Sequence, residues 1–589
     1  MARTDYPMIE TLESRIAPAG LITAKLVGGS LFIDGDSEDN QVTFSQINAY
    51  TFVISSSTGN VALDLPGSTD PVPASSVTFT GFKGNLVVNL GDGNDSFTIA
   101  QLSSGKNLTI DTGSGNNTVS VGSIQLAGNL QIKGGNGDDS ITIGVAQLKG
   151  SLNLSLGNGN DVLSIVQLAG GKNLTIDTGI GNKTIDLQTP QLAGNLQIKG
   201  GDGKHSIDIG AAQIKGSLTL NLGNGNDTLS IGTLVAKSVS ANLGGGDDVL
   251  NLQTAAISGA FSVNAGNGAN HVIIGSGGPS FEVRGALSII HGNDALSDST
   301  TITGMSVKLG SVLIQNGNAN SGTSISASLI ESGPIRVLNG SGNDNTLIAG
   351  ALMKVKSLSV QGGEGDNTLN VNAALLDIPG NIVFTGGSGT DTATIIGSGM
   401  IGGNVSLNLG GGTTAQIANI FGGAGTLTLA KTLTVKASST GGNTLALINV
   451  SANGSAKSDL SKGNNTLHII GSSIRGSLNA SLGDGNDSVI VEDSIFDGLF
   501  TLATNGGNDM VTIETGGSFE SRFSKAVKIS LGAGNDQLTV GGATPVTKAV
   551  FTNKVTFDGG TDTNTALISN NNSFPSGQPK LINFEPSST

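Results

Sequence analysis

Aliphatic residues recur along the chain in four columns, each with a constant spacing of about 22 residues. One column runs from Val88 to Leu220, and two others begin at Phe97 and Ile99. The remaining column consists of Leu86, Leu108, Leu130, Leu152, Leu174, Leu196 and Leu218. Apolar positions two residues apart, with polar residues between them, are typical of β-strands that bury one face. Each repeat is therefore predicted to contain two strands, a turn between them and a looser return.

A glycine-rich turn separates the two strands of each repeat. Its first copies are GDGNDSFTI (91–99), GSGNNTVSV (113–121) and GNGDDSITI (135–143). Tight turns need positive φ, which glycine adopts at little steric cost, and neighbouring Asn or Asp side chains can bond their own backbone. The fifth residue of the motif forms a column of its own, namely Asp95, Asn117, Asp139, Asp161, Lys183, His205, Asp227, Asp248 and Asn270.

A single repeat is too short to bury its apolar face, whereas stacked repeats pack each leucine between its counterparts. The sequence therefore predicts an all-β fold: a single elongated parallel β-solenoid, a right-handed β-helix with coils of about 22 residues. Neighbouring coils in such a fold lie about 4.8 Å apart. Residues 107–121 recur almost unchanged at 173–187, and residues 125–144 recur at 191–210. Because both offsets equal three repeats, a three-coil unit is inferred to have been duplicated.

The spacing of the repeats also predicts the domain organisation. A short helical pattern of Ile9, Leu12 and Ile16 lies between Pro7 and Pro18, ahead of the first coil. We expect an N-terminal leader with a short helix (1–30), irregular capping coils (31–84), a regular solenoid (85–274), irregular coils or a bend (275–345), the continuation of the solenoid (346–567) and a C-terminal cap (568–589).

Composition and charge exclude several classes of protein. The net charge is −15 and the basic residues do not cluster, so a nucleic-acid groove is not expected. No apolar run reaches the roughly 18 residues of a membrane-spanning helix. Cysteine is absent, which excludes disulfides and thiolate metal sites. Aromatic residues make up only 3% of the chain beside 91 glycines, a composition that argues against one large globular core.

Two resemblances suggest a class of protein. The GxGxD turns, over about residues 91–567, resemble the calcium-binding nonapeptides of the RTX family, although that family packs two nine-residue units into each coil. Separately, LESRIAPAG (12–20) resembles an LExRxxPA-type leader found before large surface and secreted repeat proteins of bacteria. Together these resemblances imply a bacterial, extracellular or cell-surface β-solenoid.

The Asp/Asn column is open to two interpretations. The side chains either stabilise the turns as Asx turns or bind Ca²⁺, which prefers oxygen ligands. Stacked turns place successive carboxylates about 5 Å apart, where two charges repel by about 1 kcal/mol in water, and a bridging cation would relieve that repulsion. No other cofactor is expected. The candidate ligands are the carboxylates without a neutral spacer between them: Asp139, Asp161, Asp227, Asp248, Asp487, Asp509, Asp536 and Asp562.

Three basic residues stand where this pattern has acidic or amide side chains. Lys183, Lys204 and His205 interrupt the acidic column, so no calcium is expected near them. A histidine is a conceivable general base, but an exposed substitution in a turn is the simpler interpretation. We therefore predict that these residues lie on the surface.

An enzymatic function has little support in the sequence. Polysaccharide lyases and hydrolases do use parallel β-helices, but their sites need clustered carboxylates or arginines. Here Arg284, Arg336 and Arg475 lie far apart in the sequence.

The sequence thus favours a non-enzymatic, cell-surface or secreted structural or adhesive protein, such as a scaffold, adhesin or matrix component. Its partner would be a surface polymer or a neighbouring protein that the sequence does not identify. The alternative is an RTX-like solenoid in which Ca²⁺ supports folding, and a carbohydrate-active β-helix enzyme ranks third.

Overall fold

The part of the chain that the computed structural model describes comprises residues 20–57, 60–63, 73–294 and 296–585. The predicted fold class is confirmed: these residues form an all-β parallel solenoid of about 22 turns, with coils of about 23 residues and no helix. The predicted short helix at 9–16 and leader residues 12–19 lie outside the described residues. The chain divides into two compact units, Met1–Leu229 and Ser230–Thr589.

The strands up to residue 221 belong to the first unit. They are β1 (Leu21–Val27), β2 (Ser30–Asp34), β3 (Gln41–Asn48), β4 (Thr51–Ser56), β5 (Asn60–Leu63), β6 (Pro73–Ala74), β7 (Ser76–Thr80), β8 (Leu86–Asn89), β9 (Ser96–Leu102), β10 (Leu108–Asp111), β11 (Thr118–Leu126), β12 (Leu130–Lys133), β13 (Ser140–Leu148), β14 (Leu152–Ser155), β15 (Asp161–Gly171), β16 (Leu174–Asp177), β17 (Lys183–Leu192), β18 (Leu196–Lys199), β19 (His205–Ile214) and β20 (Ser217–Asn221).

The first coils of this unit differ from those that follow. β1 pairs with β2 in an antiparallel hairpin, and β4 pairs antiparallel with both β3 and β7. The rings of Phe44, Phe52 and Phe82 are fully buried here, with centroids 5.3 Å apart for the first two and 4.9 Å apart for Phe52 and Phe82. Antiparallel hairpins cover backbone groups that a parallel solenoid would otherwise leave unpaired at its end.

From β8 onward the pairing in the first unit is parallel, and the predicted leucine column is confirmed. Leu152 lies directly opposite Leu130 on one side and Leu174 on the other, and it is fully buried. Ile141 likewise pairs with Val119 and Leu163. Burying one such side chain contributes about 1.5–3 kcal/mol, so repeated aliphatic stacks stabilise the coils without large aromatic clusters.

The turns between strands depend on glycine because consecutive coils touch there. Gly113 has φ of 75°, and a Cβ atom at this position would lie 1.6 Å from the carbonyl oxygen of Gly91 in the preceding coil. No larger residue fits without moving one of the two backbones. The glycine of the motif thus serves both the turn conformation and the close stacking.

The remaining strands are β21 (Thr228–Ala236), β22 (Ser238–Asn242), β23 (Val249–Ile257), β24 (Phe261–Gly266), β25 (His271–Ile274), β26 (Ser280–His291), β27 (Ser299–Gln315), β28 (Gly322–Leu338), β29 (Asn345–Gln361), β30 (Thr368–Ile378), β31 (Ile382–Thr385), β32 (Thr392–Ile401), β33 (Val405–Asn408), β34 (Gln416–Phe421), β35 (Leu427–Leu429), β36 (Leu433–Lys436), β37 (Asn443–Ile448), β38 (Val450–Ala452), β39 (Ala456–Asp459), β40 (Thr466–Ile470), β41 (Ser473–Ile474), β42 (Leu478–Ser481), β43 (Ser488–Glu492), β44 (Ile495–Phe496), β45 (Phe500–Ala503), β46 (Met510–Ile513), β47 (Ser521–Phe523), β48 (Val527–Ser530), β49 (Gln537–Val540), β50 (Ala549–Phe551), β51 (Val555–Asp558), β52 (Thr565–Ile568) and β53 (Lys580–Ile582).

Within the second unit the strands also pair in parallel, with two local variations. Between residues 280 and 361 the strands lengthen to as many as 17 residues, as in β27 and β28, which pair in parallel. Further on, phenylalanine replaces the aliphatic residue in one inner stack. The rings of Phe496, Phe523, Phe551 and Phe574 lie face to face, with successive centroids 4.9, 4.7 and 5.1 Å apart.

An inward polar column as the candidate functional site

The fifth residues of the turn motifs point into the solenoid rather than away from it. Along a strand alternate residues share a face, so Asp95 lies on the same inner face as Phe97 and Ile99. We call this set the inward polar column. Its members in the first unit are at most 2% exposed: Asp95, Asn117, Asp139, Asp161, Lys183, His205 and Asp227. The members in the second unit include Asp248, Asn270, Asp344, Asn367, Asp391, Asn443, Asn465, Asp487, Asp509, Asp536 and Asn564.

This burial corrects one expectation. Lys204 is exposed, as predicted, but the interpretation of Lys183 and His205 as surface residues is wrong, since both are buried. The alternation that places Phe97 inside also places the residue two positions earlier inside. That signal was present in the sequence, but a lysine at such a position is ordinarily exposed.

Many Asp and Asn side chains of the column cap a backbone group of the neighbouring coil. The backbone N–H of Asp95 donates to Asn117 Oδ1 at 2.9 Å, and the N–H of Asn117 donates to Asp139 Oδ1 at 2.8 Å. The N–H of Asp139 donates in turn to Asp161 Oδ1 at 2.8 Å. A buried N–H without a partner would be costly, so this side-chain ladder stabilises the stack at the corner where the strands begin.

The second unit repeats the same ladder. The N–H of Asn465 donates to Asp487 Oδ1 at 2.7 Å, and the N–H of Asp487 donates to Asp509 Oδ1 at 2.8 Å. The N–H groups of Asp509 and Asp536 donate to Asp536 Oδ1 and Asn564 Oδ1, both at 2.9 Å. The column is therefore primarily an architectural feature of both units.

The amide nitrogen of the Asn side chains in the column faces the carbonyl oxygens of its own turn. Asn117 Nδ2 donates to the oxygen of Gly115 at 3.0 Å, and Asn465 Nδ2 donates to that of Gly463 at 2.7 Å. We call the space beside these carbonyls the carbonyl slot. Asp has the same shape as Asn but offers an oxygen, which cannot donate unless it is protonated. The Oδ2 atoms of Asp95, Asp344, Asp391, Asp487, Asp509 and Asp536 accordingly have no hydrogen-bond partner.

Burial also changes the acidity of these carboxyls. Removal from water raises the pKa of Asp487 to about 7, and the neighbouring charge of Asp509 adds to this effect. Burial raises the pKa of Asp95, Asp344 and Asp536 to about 6. A fraction of these side chains is therefore protonated near neutral pH, and a protonated Oδ2 can donate to the carbonyls that face it.

Lys183 fills one carbonyl slot with its amine. Its Nζ donates to the oxygens of Gly159 and Ile180 at 2.6 and 2.7 Å, and it lies 3.2 Å from Asp161 Oδ2. The side chains of Lys183 and Asp161 are at most 1% exposed. Gly159 precedes Asp161 by two residues, as Gly115 precedes Asn117, so the amine lies at the carbonyl slot of the preceding coil, beside Asp161.

The buried His205 lies between an aspartate and a threonine. Its Nδ1 is 3.0 Å from Asp227 Oδ1, and its Nε2 is 3.2 Å from Thr178 Oγ1. The order of these groups is that of a hydrolytic triad. All three side chains are fully buried or nearly so, however, and their contacts link residues of the interior.

His291 in the second unit has similar neighbours. Its Nδ1 is 3.4 Å from Asp298 Oδ1, and its Nε2 is 2.8 Å from Thr300 Oγ1. These side chains are also buried, with exposures of at most 3%. Neither histidine therefore presents its ring to a substrate at the surface.

One predicted ligand does not belong to the column. Asp562 is exposed, with φ of 68°, and its Oδ2 accepts from the N–H of Gly534 at 3.1 Å. The residue of this turn that enters the column is Asn564, because Thr561 lies opposite Ala533 in the preceding turn. In GGTDTNTAL the aspartate stands where other turns have the second glycine, so the motif is displaced by two residues.

The other predicted ligands differ in the groups that their side chains contact. Asp139 Oδ2 accepts from the N–H of Gly135 at 3.3 Å, Asp161 contacts Lys183, and Asp227 contacts His205. Asp248 is buried in the column, where its N–H donates to Asn270 Oδ1. Asp487, Asp509 and Asp536 have Oδ2 atoms with neither a hydrogen-bond partner nor a basic side chain beside them.

In the described part of the chain, no three His, Asp or Glu side chains converge as a metal cluster. A cation there would therefore need the turn carbonyls as ligands beside the carboxylates.

The described residues also contain no helix that could span a membrane. Searches against protein-family models, curated proteins and solved structures find no match to this chain. Any functional assignment must therefore come from the geometry of its own residues.

Proposed function

We propose that this chain is a non-enzymatic structural or adhesive repeat protein, secreted or held at a bacterial cell surface. The inward polar column carries the proposal. Its recurrent carboxylates and amides, such as Asp139 and Asp487, cap backbone N–H groups of neighbouring coils inside the stack. Even His205 and His291, the residues most suited to catalysis, are buried among such contacts. The repeating polar chemistry of the chain thus serves its architecture.

The outer surface supports an adhesive role. Thr118 lies opposite Ser140, and Thr184 lies opposite Ser206, on parallel strands about 4.8 Å apart. All four side chains are exposed. The exposed Val162 stands between Ser140 and Thr184, so the row consists of two pairs of hydroxyls. Such pairs of neutral hydroxyls can exchange hydrogen bonds with a polymer that itself carries many hydroxyl and amide groups, such as a cell-wall polysaccharide.

Co-sedimentation with insoluble polysaccharides tests this role. Wild-type protein should sediment with purified peptidoglycan or with chitin, and the double variant Ser140→Glu/Thr184→Glu should lose most of that binding. The matched control is Gln131→Glu/Gln197→Glu, which adds the same charge at exposed positions of β12 and β18. Absence of binding to every polymer would overturn the adhesive role. Release of soluble sugar from the polymer would overturn the non-enzymatic assignment.

The proposed location has a separate basis. It relies on the resemblance of LESRIAPAG (12–20) to leaders of surface and secreted repeat proteins. Protease treatment of intact source cells should degrade the chain while a cytoplasmic marker survives. Protection of the chain until the cells are lysed would contradict an extracellular location.

A second candidate function, calcium binding that supports the fold, is favoured by one observation. Asp487, Asp509 and Asp536 have partnerless buried Oδ2 atoms in turns of the kind where the Lys183 amine donates to two carbonyl oxygens. Carboxylate and carbonyl oxygens are suitable ligands for Ca²⁺. Lys183 itself would exclude calcium from the slot it fills.

Thermal melting in calcium, in magnesium and in chelator tests this second function. Binding to the folded state alone must raise the melting temperature. The gain in calcium should shrink in Asp487→Asn/Asp509→Asn and persist in Asp484→Asn, whose side chain is on the surface. An identical melt in millimolar Ca²⁺, in Mg²⁺ and in chelator would reject calcium binding and leave the structural role intact.

A further inference from the structure

Lysine and aspartate side chains meet between consecutive coils of the first unit in two different environments. Lys133 Nζ lies 2.9 Å from Asp111 Oδ2, but these side chains are 56% and 35% exposed. Lys183 Nζ lies 3.2 Å from Asp161 Oδ2, with exposures of 0% and 1%. In both pairs the two residues lie directly opposite each other on paired parallel strands. The pairs therefore differ chiefly in their access to water.

The buried amine is oriented for more than an ion pair. Two of its hydrogens are accounted for by the oxygens of Gly159 and Ile180, at 2.6 and 2.7 Å. Condensation with a carboxyl group requires the neutral form of the amine, which has two hydrogens and one lone pair. With both hydrogens on these carbonyls, the lone pair of that form lies in the remaining direction. Asp161 Oδ2 lies close by, 3.2 Å from Nζ.

The carboxyl group is held at the same time. The backbone N–H of Asp139 donates to Asp161 Oδ1 at 2.8 Å. A donor at this atom would stabilise the negative charge that forms on Oδ1 if Nζ attacks the carboxyl carbon. Two groups held about 3–3.5 Å apart in the right orientation react as fast as free groups would at very high concentration. The coil thus supplies proximity, orientation and an oxyanion donor.

We propose that Lys183 and Asp161 condense into an amide bond that links two consecutive coils. The new bond joins Lys183 Nζ to Asp161 Cγ, and the bond from Cγ to Oδ2 breaks. Oδ2 leaves as water, with its own acid proton and one proton of the amine, while the other amine proton remains on the amide nitrogen. The step needs no oxidant or co-reactant.

Such a link would add a covalent cross-link to a chain that contains no cysteine and therefore no disulfide. It would close a loop between residues 161 and 183 and so restrict the unfolded chain, as a disulfide does. It would also resist reducing agents. This suits a structural or adhesive protein proposed to act outside the cell, although the linkage does not depend on that function.

Mass spectrometry of the purified, fully denatured chain tests the proposal. The wild-type mass should fall below the sequence mass by one water molecule, and Lys183→Met should have its full sequence mass. Peptide mapping should recover a branched peptide that joins Lys183 to Asp161. The pair of Lys133 and Asp111 provides the internal control and should give only linear peptides, because water competes at that exposed contact.

A wild-type mass equal to the sequence mass would overturn the proposal, because it would leave Lys183 as a free amine. Acetylation of Lys183 in the denatured wild-type chain would overturn it independently. Neither measurement requires a variant to fold, so a destabilised Lys183→Met protein would not obscure the result. A branched peptide at Lys133 in place of Lys183 would likewise contradict it, since the mechanism requires exclusion of water.

Discussion

At the scale of single residues, the side of the strand decides what a substitution costs. Leu152 is fully buried between Leu130 and Leu174, whereas Lys149, three residues earlier, is exposed. The same alternation places Asp and Asn residues of the column inside, where they are tolerated because each finds a backbone N–H. A polar residue without such a partner would not be tolerated.

We therefore expect Leu152→Asp to unfold the protein or to lower the free energy of unfolding by more than about 4 kcal/mol, since it buries an unpaired charge among aliphatic side chains. Lys149→Asp introduces the same side chain at an exposed position and should change the free energy by less than about 0.5 kcal/mol. Chemical denaturation of both variants provides the comparison. Similar losses in the two would show that the inner and outer faces are wrongly assigned.

At the scale of the element, the glycine turn is where coils come closest together. The carbonyl oxygen of Gly91 lies where a side chain on Gly113 would begin. Gly28, in the hairpin between β1 and β2, also has positive φ but has open space around it, with nothing within 4 Å of an added Cβ. Substitution at Gly28 therefore measures the cost of the backbone conformation alone, whereas substitution at Gly113 adds the cost of separating two stacked coils.

Gly113→Ala should destabilise the fold well beyond the roughly 1–2 kcal/mol that positive φ costs a residue with a side chain, because one of the two coils must also move. Gly28→Ala should lose only that conformational contribution. Urea denaturation of the two variants measures the difference. An equal loss in both would mean that the turns tolerate a side chain between coils.

At the scale of the whole molecule, the buried carboxyls link stability to pH. Burial raises the pKa of Asp95, Asp344, Asp391 and Asp536 to about 6 and that of Asp487 to about 7. A carboxyl with a raised folded-state pKa stabilises the fold while it is protonated in both states. That contribution is lost as pH rises from about 4 through the folded-state pKa.

The protein should consequently melt at a higher temperature at pH 5 than at pH 8 in the absence of divalent cations. Asp487→Asn should raise the melting temperature at pH 8 and weaken the pH dependence, since Asn can donate to the turn carbonyls as Asn465 does. Asp484→Asn, on the surface, should change the pH profile far less, because the charge of Asp484 is only the smallest contribution to the raised pKa of Asp487, after burial and Asp509. A melting temperature that rises steadily from pH 5 to pH 8 would show that these carboxyls are ionised without cost.

The sequence by itself determined the coil: a constant repeat spacing with apolar residues at alternate positions leaves stacked parallel strands as the way to bury Leu130, Leu152 and Leu174 together. It also marked the column of polar turn residues. Only the tertiary structure decided which atoms those residues meet, namely Lys183 with Gly159 and Asp161, and Asn564 rather than Asp562 in the last turn of the column. The reason is physical: local alternation fixes the face on which a side chain lies, whereas its partner belongs to another coil, one full repeat away in the sequence, and is selected by the stacking itself.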